Sequence, residues 1–197
     1  MEEFYGLNRI ELESKLPDEQ IRITQIICLA MMIGVFMFMA ILIFMYFQNE
    51  NINNNYADYD TSSVFSVVLV IIAGIVYTMF NVIPKIIFSP EKIKQRLSQG
   101  IPTYQEMVVS DPVIRLLLLH RAQMIIKMAM LEGVALFGLV NLFYFITDGT
   151  IYTNNNYWLV LIPAFIMFVY IIINFPTKQK IAEQIEKDFL EPLRSAR

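Results

Sequence analysis

Four long apolar blocks separated by polar segments dominate the pattern of this chain. They run from about Ile23 to Phe47, Val64 to Phe88, Met124 to Thr147 and Tyr157 to Phe175. A helix needs roughly 20 mostly apolar residues to cross a bilayer, and each block is close to that length or longer. The blocks are continuous, without period-two alternation, so they predict helices and not barrel strands. The pattern therefore predicts an all-α polytopic membrane protein with four transmembrane helices.

Two start signals lie between the second and third blocks. Ser89-Pro90-Glu91 and Asp111-Pro112 each place a capping residue before a proline at the first helical position. The first predicts a short basic helix from Pro90 that ends near Gly100. The second predicts a helix from Pro112 to about Thr147, which at 1.5 Å per residue is roughly 54 Å long and exceeds the ~30 Å hydrocarbon core.

Both tails of the chain are polar. The first apolar block follows an acidic tail and has no cleavage site after it, so we expect a retained span and not a signal peptide. The tail after Pro176 mixes lysines with glutamates at helical spacing, which predicts a helix with a solvated face. Contact with a partner or with lipid headgroups is the alternative. Four basic residues at the cytoplasmic edge could attract anionic lipid in the same way, namely Lys85, Lys92, Lys94 and Arg96.

The distribution of positive charge predicts the orientation. All 15 Lys and Arg residues lie in the tails or in or near the central connection, and residues 48–62 and 148–156 contain none. By the positive-inside rule, both termini and the central connection are expected in the cytoplasm, and the loops with Asn53–Asn55 and Asn154–Asn156 outside. We expect Tyr46, Tyr144, Tyr157 and Trp158 at the outer interface, and the inner (plasma) membrane of a bacterium as the location.

The first and third blocks share an internal similarity. Shifting one by 99 positions (121 − 22) superimposes Arg22 on Arg121, and nine of 26 positions are identical. The second and fourth blocks match at a shift of 93 (170 − 77), which superimposes Tyr77 on Tyr170. The chain is therefore predicted to consist of two tandem, parallel two-helix repeats. The predicted segments are an N-terminal tail 1–22, a first repeat 23–88, a connection 89–122, a second repeat 123–176 and a C-terminal helix 177–197.

The repeated positions include two pairs of small residues. Ala30 and Gly34 in the first block correspond to Ala129 and Gly133 in the third. Small residues four apart lie on one helix face and let two helices approach closely. These four residues are therefore predicted to mediate helix packing, either within the chain or in an assembly.

The amino-acid composition gives few indications of catalysis or ligand binding. Only 17% of residues are charged, against about 25% in ordinary soluble domains. One cysteine, Cys28, and one histidine, His120, are too few for a thiol redox pair, a haem or a zinc site, and we expect His120 at the membrane interface. The sequence has no Gly-rich phosphate loop, no Ser/His/Asp set and no basic-aromatic surface for nucleic acid, and its net charge of −3 gives no indication of nucleic-acid binding. We therefore expect no cofactor, no metal and no enzymatic activity.

Glu132, near the middle of the third block, is the residue that calls for an explanation. An ionised carboxylate there costs several kcal/mol unless it is paired, hydrated or protonated, and such residues are functional candidates. Its repeat counterpart is Ile33, so polar character occurs in one half only. The candidate intramembrane polar site comprises Glu132, Lys127, Asn141, Tyr77 and Tyr170.

Several interpretations of this site are open. Lys127 can reach the cytoplasmic interface and is poorly aligned with Glu132 at i,i+5. Glu132 is expected to hydrogen-bond a neighbouring span, through Tyr77, Thr78 or Tyr170, or to stay protonated. The alternatives are ion or proton handling and a carboxylate wetted by a cavity.

The residues around Glu132 also carry two resemblances. Leu131–Val140 resembles the ion-binding helix of the rotary ATP synthase proteolipid subunit, in which a glutamate precedes an alanine-rich, glycine-containing run. That family has a glycine-rich partner helix and a short connection, whereas this chain offers only Ala73-Gly74 and a long connection, so we attribute the likeness to convergence. Ile125–Val140 also resembles a run in uncharacterised small bacterial four-helix membrane proteins, which implies a family without an assigned activity.

Together these features predict a non-catalytic membrane protein that acts through helix packing and its cytoplasmic faces. Its expected partners are the lipid bilayer and either further copies of itself or another membrane protein. The alternative is a minimal transporter or channel in which Glu132 handles protons or ions within the membrane.

Overall fold

The structure, a computed structural model, describes residue 4 and residues 6–48, 59–99 and 111–195. Within these ranges every regular element is a helix. The α-helices are α1 Arg9–Lys15, α2 Asp18–Gln48, α3 Tyr59–Ile87, α4 Pro90–Gln99, α5 Pro112–Thr147, α6 Ile162–Ile173, α7 Lys178–Ile185 and α8 Glu191–Ser195. Thr150–Tyr152 and Asn155–Leu161 are 3₁₀ helices, and Glu186–Leu190 is a π-helical turn. The predicted outer loop with Asn53–Asn55 lies outside the described residues.

Four helices in the described residues are long and apolar enough to cross a membrane, which confirms the predicted number. They are Asp18–Gln48, Ser63–Ile87, Pro112–Thr147 and Asn155–Ile173. The helix α4 begins at Pro90, and α5 extends from Pro112 to Thr147, as the start signals predicted. The Asp111 carboxylate accepts a hydrogen bond from the Val113 amide at 2.8 Å and caps the first turn of α5.

The chain forms two compact units. The first unit comprises the described parts of Met1–Cys28, Val82–Lys127 and Asn174–Arg197, and the second those of Leu29–Asn81 and Met128–Ile173. Each unit therefore draws on both halves of the sequence. The tandem repeat was inferred from similarity within the sequence, and this division into units does not test it, so the repeat stays a prediction.

The first unit has an apolar core built from the two tails, α4 and the start of α5. Leu12 and Leu16 from the N-terminal segment are buried in the same cluster as Leu116 from α5 and Phe189 from the C-terminal segment. The ring of Phe88 packs edge-on against that of Phe189, with centroids 6.1 Å apart. The predicted solvated face of the C-terminal helix is thus only one face of an amphipathic element, whose other face is buried.

The second unit buries its helices unequally. In the 18-residue stretch that defines each span, 50% of the α5 residues are buried, but only 6% of the α3 residues. Most apolar side chains of α3, such as Val70 and Ile71, therefore lie on the surface of the chain. Apolar surface of this extent is typical of a helix that faces lipid or another helix.

Aromatic rings cluster in the second unit. The rings of Tyr46 and Tyr152 stack with centroids 4.9 Å apart, and the Tyr152 hydroxyl donates to the Tyr46 carbonyl at 2.6 Å. Trp158 packs edge-on against Tyr46 at 5.0 Å. Two of the predicted interfacial residues, Tyr46 and Trp158, thus meet in one cluster that joins the end of α2 to the segment before α6.

The fourth span starts as a 3₁₀ helix where the sequence predicted a continuous helix. This seven-residue stretch, Asn155–Leu161, is longer than most 3₁₀ helices and passes close to α5. A Cβ atom added at Gly138 of α5 would collide with the backbone carbonyl of Val160. Glycine at position 138 therefore allows direct contact between the two backbones.

Candidate functional site

Glu132 lies on the face of α5 that points away from the core of the second unit. Its side chain is partly exposed, and Ala129 and Gly133, which share this helix face, are exposed. Among the described residues and outside the adjacent backbone of α5, no heavy atom lies within 4 Å of the position that a Cβ of Gly133 would take. Glu132 forms no hydrogen bond and no ion pair with any described residue. The patch of Ala129, Glu132 and Gly133, here called the Glu132 face, thus combines an unpaired carboxyl group with open space beside it.

The other predicted polar residues of the second unit do not join Glu132 in a hydrogen-bond network. Asn141 is 1% exposed, and its side-chain NH₂ group has no partner in the described chain. The buried Tyr77 hydroxyl likewise has no described partner. Tyr170 packs its ring edge-on against Phe80 at 5.3 Å.

The structure also does not show the expected hydrogen bond from Glu132 to a neighbouring span. Thr78, one of the expected partners, donates instead to the Gly74 carbonyl of its own helix at 2.7 Å. Lys127 belongs to the first unit, whereas the other four residues of the predicted polar site belong to the second. Within the second unit, Glu132, Asn141 and Tyr77 are therefore not joined to one another by hydrogen bonds.

The predicted packing residues of the first span are also on the surface. Ala30 and Gly34 are exposed, and outside the adjacent backbone of α2 no heavy atom of a described residue lies within 4 Å of the position of a Gly34 Cβ. Neither small-residue pair has a neighbouring helix pressed against its glycine within the described chain. Their role in helix packing stays a prediction.

Arg121 connects two long helices inside the first unit. Its guanidinium donates to the Thr24 hydroxyl at 3.0 Å, the Gln20 carbonyl at 2.8 Å and the Gln20 side-chain oxygen at 2.9 Å. Its repeat counterpart, Arg22, is exposed. Equivalent positions in the two predicted repeats therefore have different structural roles.

Two polar contacts join the N-terminal and C-terminal segments near the ends of the long helices. The Gln25 side chain donates to the Pro176 carbonyl at 2.9 Å, and Lys178 forms an ion pair with Asp18 at 3.1 Å. In both contacts a residue of α2 binds the beginning of the C-terminal segment. The sequence pattern did not reveal this connection.

Further contacts join α1 and the residues before it to the last helices. Arg194 donates to the Leu7 carbonyl and lies 3.6 Å from Glu186, while Arg9 lies 3.5 Å from Glu183. The ion pairs are partly exposed, and such pairs contribute little to stability. Buried apolar residues of both tails, such as Leu12 and Phe189, belong to one core cluster.

His120 is buried, which corrects the expectation of an interfacial side chain. It is 4% exposed, and both of its ring nitrogens have no described hydrogen-bond partner. The described residues contain no group of three or more His, Cys, Asp and Glu side chains that could hold a metal ion. Cys28 is buried, with its sulfur 4.0 Å from that of Met124.

Comparisons with protein families, with characterised proteins and with solved structures found no match to this chain.

Proposed function

We propose that this chain is an integral membrane protein that acts as a non-catalytic subunit of a membrane assembly. In this proposal its spans pack against helices of other molecules, and the first unit is a folded cytoplasmic domain. The Glu132 face carries the proposal, because it presents an unpaired carboxyl group and small residues on the surface of a span.

The four long apolar helices support insertion into a membrane. Water would face most of the apolar surface of α3 if the chain were soluble, since 6% of its span residues are buried. Soluble monomers rarely expose apolar patches of more than a few hundred Å². A bilayer removes this cost for the second unit.

The charge distribution supports an orientation with the first unit in the cytoplasm. All 15 Lys and Arg residues belong to the segments of the first unit, and the segments of the second unit contain none. By the positive-inside rule, short segments beside the spans that carry Lys and Arg stay in the cytoplasm. Both termini would then be cytoplasmic and the loop with Asn154–Asn156 would lie outside, in the inner membrane of a bacterial cell.

Cysteine labelling tests this orientation. In a Cys28→Ser background, Asn155→Cys should react with a membrane-impermeant maleimide on intact cells. Lys187→Cys should react only after the membrane is permeabilised. Both residues are exposed, so a difference in labelling reports the side of the membrane. The reverse labelling pattern would invert the topology.

The chemistry of the Glu132 face supports an assembly. A charged side chain at the centre of a span costs about 2.5–3.5 kcal/mol on insertion scales, and a neutral carboxyl still lacks a hydrogen-bond partner in lipid. Ala129 and Gly133 leave room for a second helix to approach closely and to offer a donor or acceptor. Hydrogen bonds between spans contribute on the order of 1 kcal/mol, which is enough to bias association.

Association in lipid vesicles tests the assembly. Labelled protein should form oligomers, measured by energy transfer between donor and acceptor copies. Glu132→Leu and Gly133→Leu should weaken association, whereas Glu132→Gln should preserve it because an amide both donates and accepts. Val68→Leu, at an exposed position of α3 and outside the Glu132 face, is the control. Equal association of the variants Glu132→Leu, Gly133→Leu and Val68→Leu would exclude the Glu132 face as the contact.

A minimal transporter or channel is the second candidate, favoured by the ionisable side chain of Glu132 inside a span. A proton path needs polar groups that follow one another, and Glu132, Asn141 and Tyr77 are not hydrogen-bonded to each other. Proton flux into vesicles that is lost in Glu132→Gln, with association unchanged, would favour transport over assembly.

A further inference from the structure

A groove of about 420 Å³ opens in the second unit between α3 and the 3₁₀ helix that precedes α6. Val67, Leu69 and Val70 form the wall from α3, and Leu159 and Val160 form the opposite wall. Its volume falls within the range of roughly 300–1,000 Å³ that is usual for small-molecule sites. The Glu132 face does not contribute to it.

The contact at Gly138 fixes one wall of this groove. The Val160 carbonyl lies where a side chain at position 138 would be, and Leu69 lies 3.9 Å from the same point. The 3₁₀ helix therefore packs tightly on α5, while the groove stays open on its α3 side. The wall formed by Leu159 and Val160 is thus held against α5 by a tight backbone contact.

Polarity changes along the groove in the same direction on both walls. Ser63 and Ser66 precede the valines of α3, and Asn154 and Asn156 precede Leu159 and Val160. From Ser63 to Val70 the helix rises by roughly 10 Å. The groove thus has a polar end at the start of both spans and an apolar end deeper within them.

Two side-chain amides at the polar end are available to a ligand. The Asn154 side-chain oxygen accepts from the Asn156 backbone amide at 3.0 Å, which leaves its NH₂ group unpaired among the described residues. The Asn156 side chain forms no described hydrogen bond. No described residue that lines the groove is charged. The site therefore offers hydrogen-bond donors without an ionic partner.

We infer that this groove binds one acyl chain of a zwitterionic phospholipid, whose ester or headgroup oxygens accept from Asn154 and Asn156. Apolar walls left empty would lose dispersion contacts, and a flexible chain can fill an irregular slot. The inference rests on the membrane insertion in the proposed function, but not on the assembly.

Native mass spectrometry of the detergent-purified protein tests the inference, with dioleoyl phosphatidylcholine as the probe. Val67→Trp fills the groove and should remove one tightly held lipid. Val68→Trp is the matched control, because Val68 is the next residue of α3, is exposed and does not line the groove. Equal lipid retention by the two tryptophan variants would overturn the inference. This result is also expected if a second copy of the chain, and not a lipid, fills the groove.

A second pair of variants keeps the test valid if a tryptophan variant does not fold. Asn156→Ala should lower the affinity for the lipid about 2- to 12-fold, as expected for the loss of one hydrogen bond. Asn155→Ala is the control, because Asn155 is exposed and does not line the groove. Equal affinities of these two variants would exclude recognition by the amides.

Failure of the groove and failure of the proposed function give different results. If alkaline carbonate extracts the protein from membranes, the insertion itself is wrong and both proposals fall. If the protein resists extraction but Val67→Trp retains lipid as Val68→Trp does, only the groove is excluded. The energy-transfer experiment on the Glu132 face is independent of both outcomes.

Discussion

The guanidinium of Arg121 donates a hydrogen bond to the Thr24 hydroxyl at 3.0 Å, although 96 residues separate them in the sequence (residues 25–120). The same guanidinium also binds the backbone carbonyl and the side chain of Gln20. A single side chain thereby joins α2 to α5 within the first unit. Hydrogen bonds to a charged group are stronger than those between neutral groups, so this contact is expected to stabilise the unit.

Removal of the Arg121 guanidinium should destabilise the first unit. Arg121→Met keeps much of the apolar stem but leaves Thr24 and Gln20 without their donor, at a cost of about 1.5–3 kcal/mol. Thermal unfolding in detergent measures the loss. Arg22→Met, at the exposed counterpart in the predicted repeat, should change stability by less than about 0.5 kcal/mol. Equal effects of the two substitutions would show that the Arg121 contacts contribute nothing specific.

Phe189 should be essential for the core that the two tails share. Its side chain is fully buried and packs against Phe88, so Phe189→Ala should cost about 3–5 kcal/mol. Limited proteolysis should then cleave the N-terminal segment as well as the C-terminal one, because both belong to one core. Lys187→Ala, an exposed neighbour, should leave the cleavage pattern unchanged. Protection of the N-terminal segment in Phe189→Ala would mean that the tails fold independently.

His120 should tolerate an apolar replacement better than a charged one. Its ring is buried and its nitrogens have no described partner, so His120→Leu removes an unsatisfied polar group and should be neutral or stabilising. His120→Lys places a strongly hydrated charge in the same site and should destabilise the first unit. Thermal unfolding in detergent ranks the unmodified protein, His120→Leu and His120→Lys by their stability. A large loss of stability in His120→Leu would reveal a partner of His120 outside the described residues.

The sequence predicted the long helices well because their signals are local. Apolar blocks identify spans by length alone, and the prolines at positions 90 and 112 determine where two helices begin. The sequence did not reveal the first unit, since its core depends on packing between residues such as Leu12 and Phe189 that are far apart in the chain. The four-residue spacing of Ile181, Ile185 and Phe189 was a usable signal, since it places an apolar stripe on the C-terminal helix.

The candidate site was predictable only in part for a related reason. Composition identifies Glu132 as an unusual residue within a span, but the direction of its side chain depends on how α5 packs. Ala135 and Leu139 are buried and determine which face of α5 points outward. The groove could not be predicted either, because it depends on the 3₁₀ geometry of residues 155–161, which no pattern in the sequence indicates.

Of Gly133 and Gly138 in α5, only Gly138 should lose stability when a side chain is added. Gly138→Ala places a Cβ atom against the Val160 carbonyl, and backbone on both sides leaves little freedom to move. We expect a loss of about 1–3 kcal/mol, as for overpacking in a core, measured by thermal unfolding in detergent.

Gly133→Ala is the matched control for this substitution, on the same helix. Outside the adjacent backbone of α5, no described residue lies within 4 Å of the Cβ that it would add. The folded chain should therefore keep its stability or gain up to about 1 kcal/mol from higher helix propensity. The contrast between the two variants tests the contact between α5 and the 3₁₀ helix directly. Equal stability of Gly138→Ala and Gly133→Ala would mean that the backbones at Gly138 and Val160 lie farther apart than the structure shows. The position of Val160 in the wall of the groove would then be wrong.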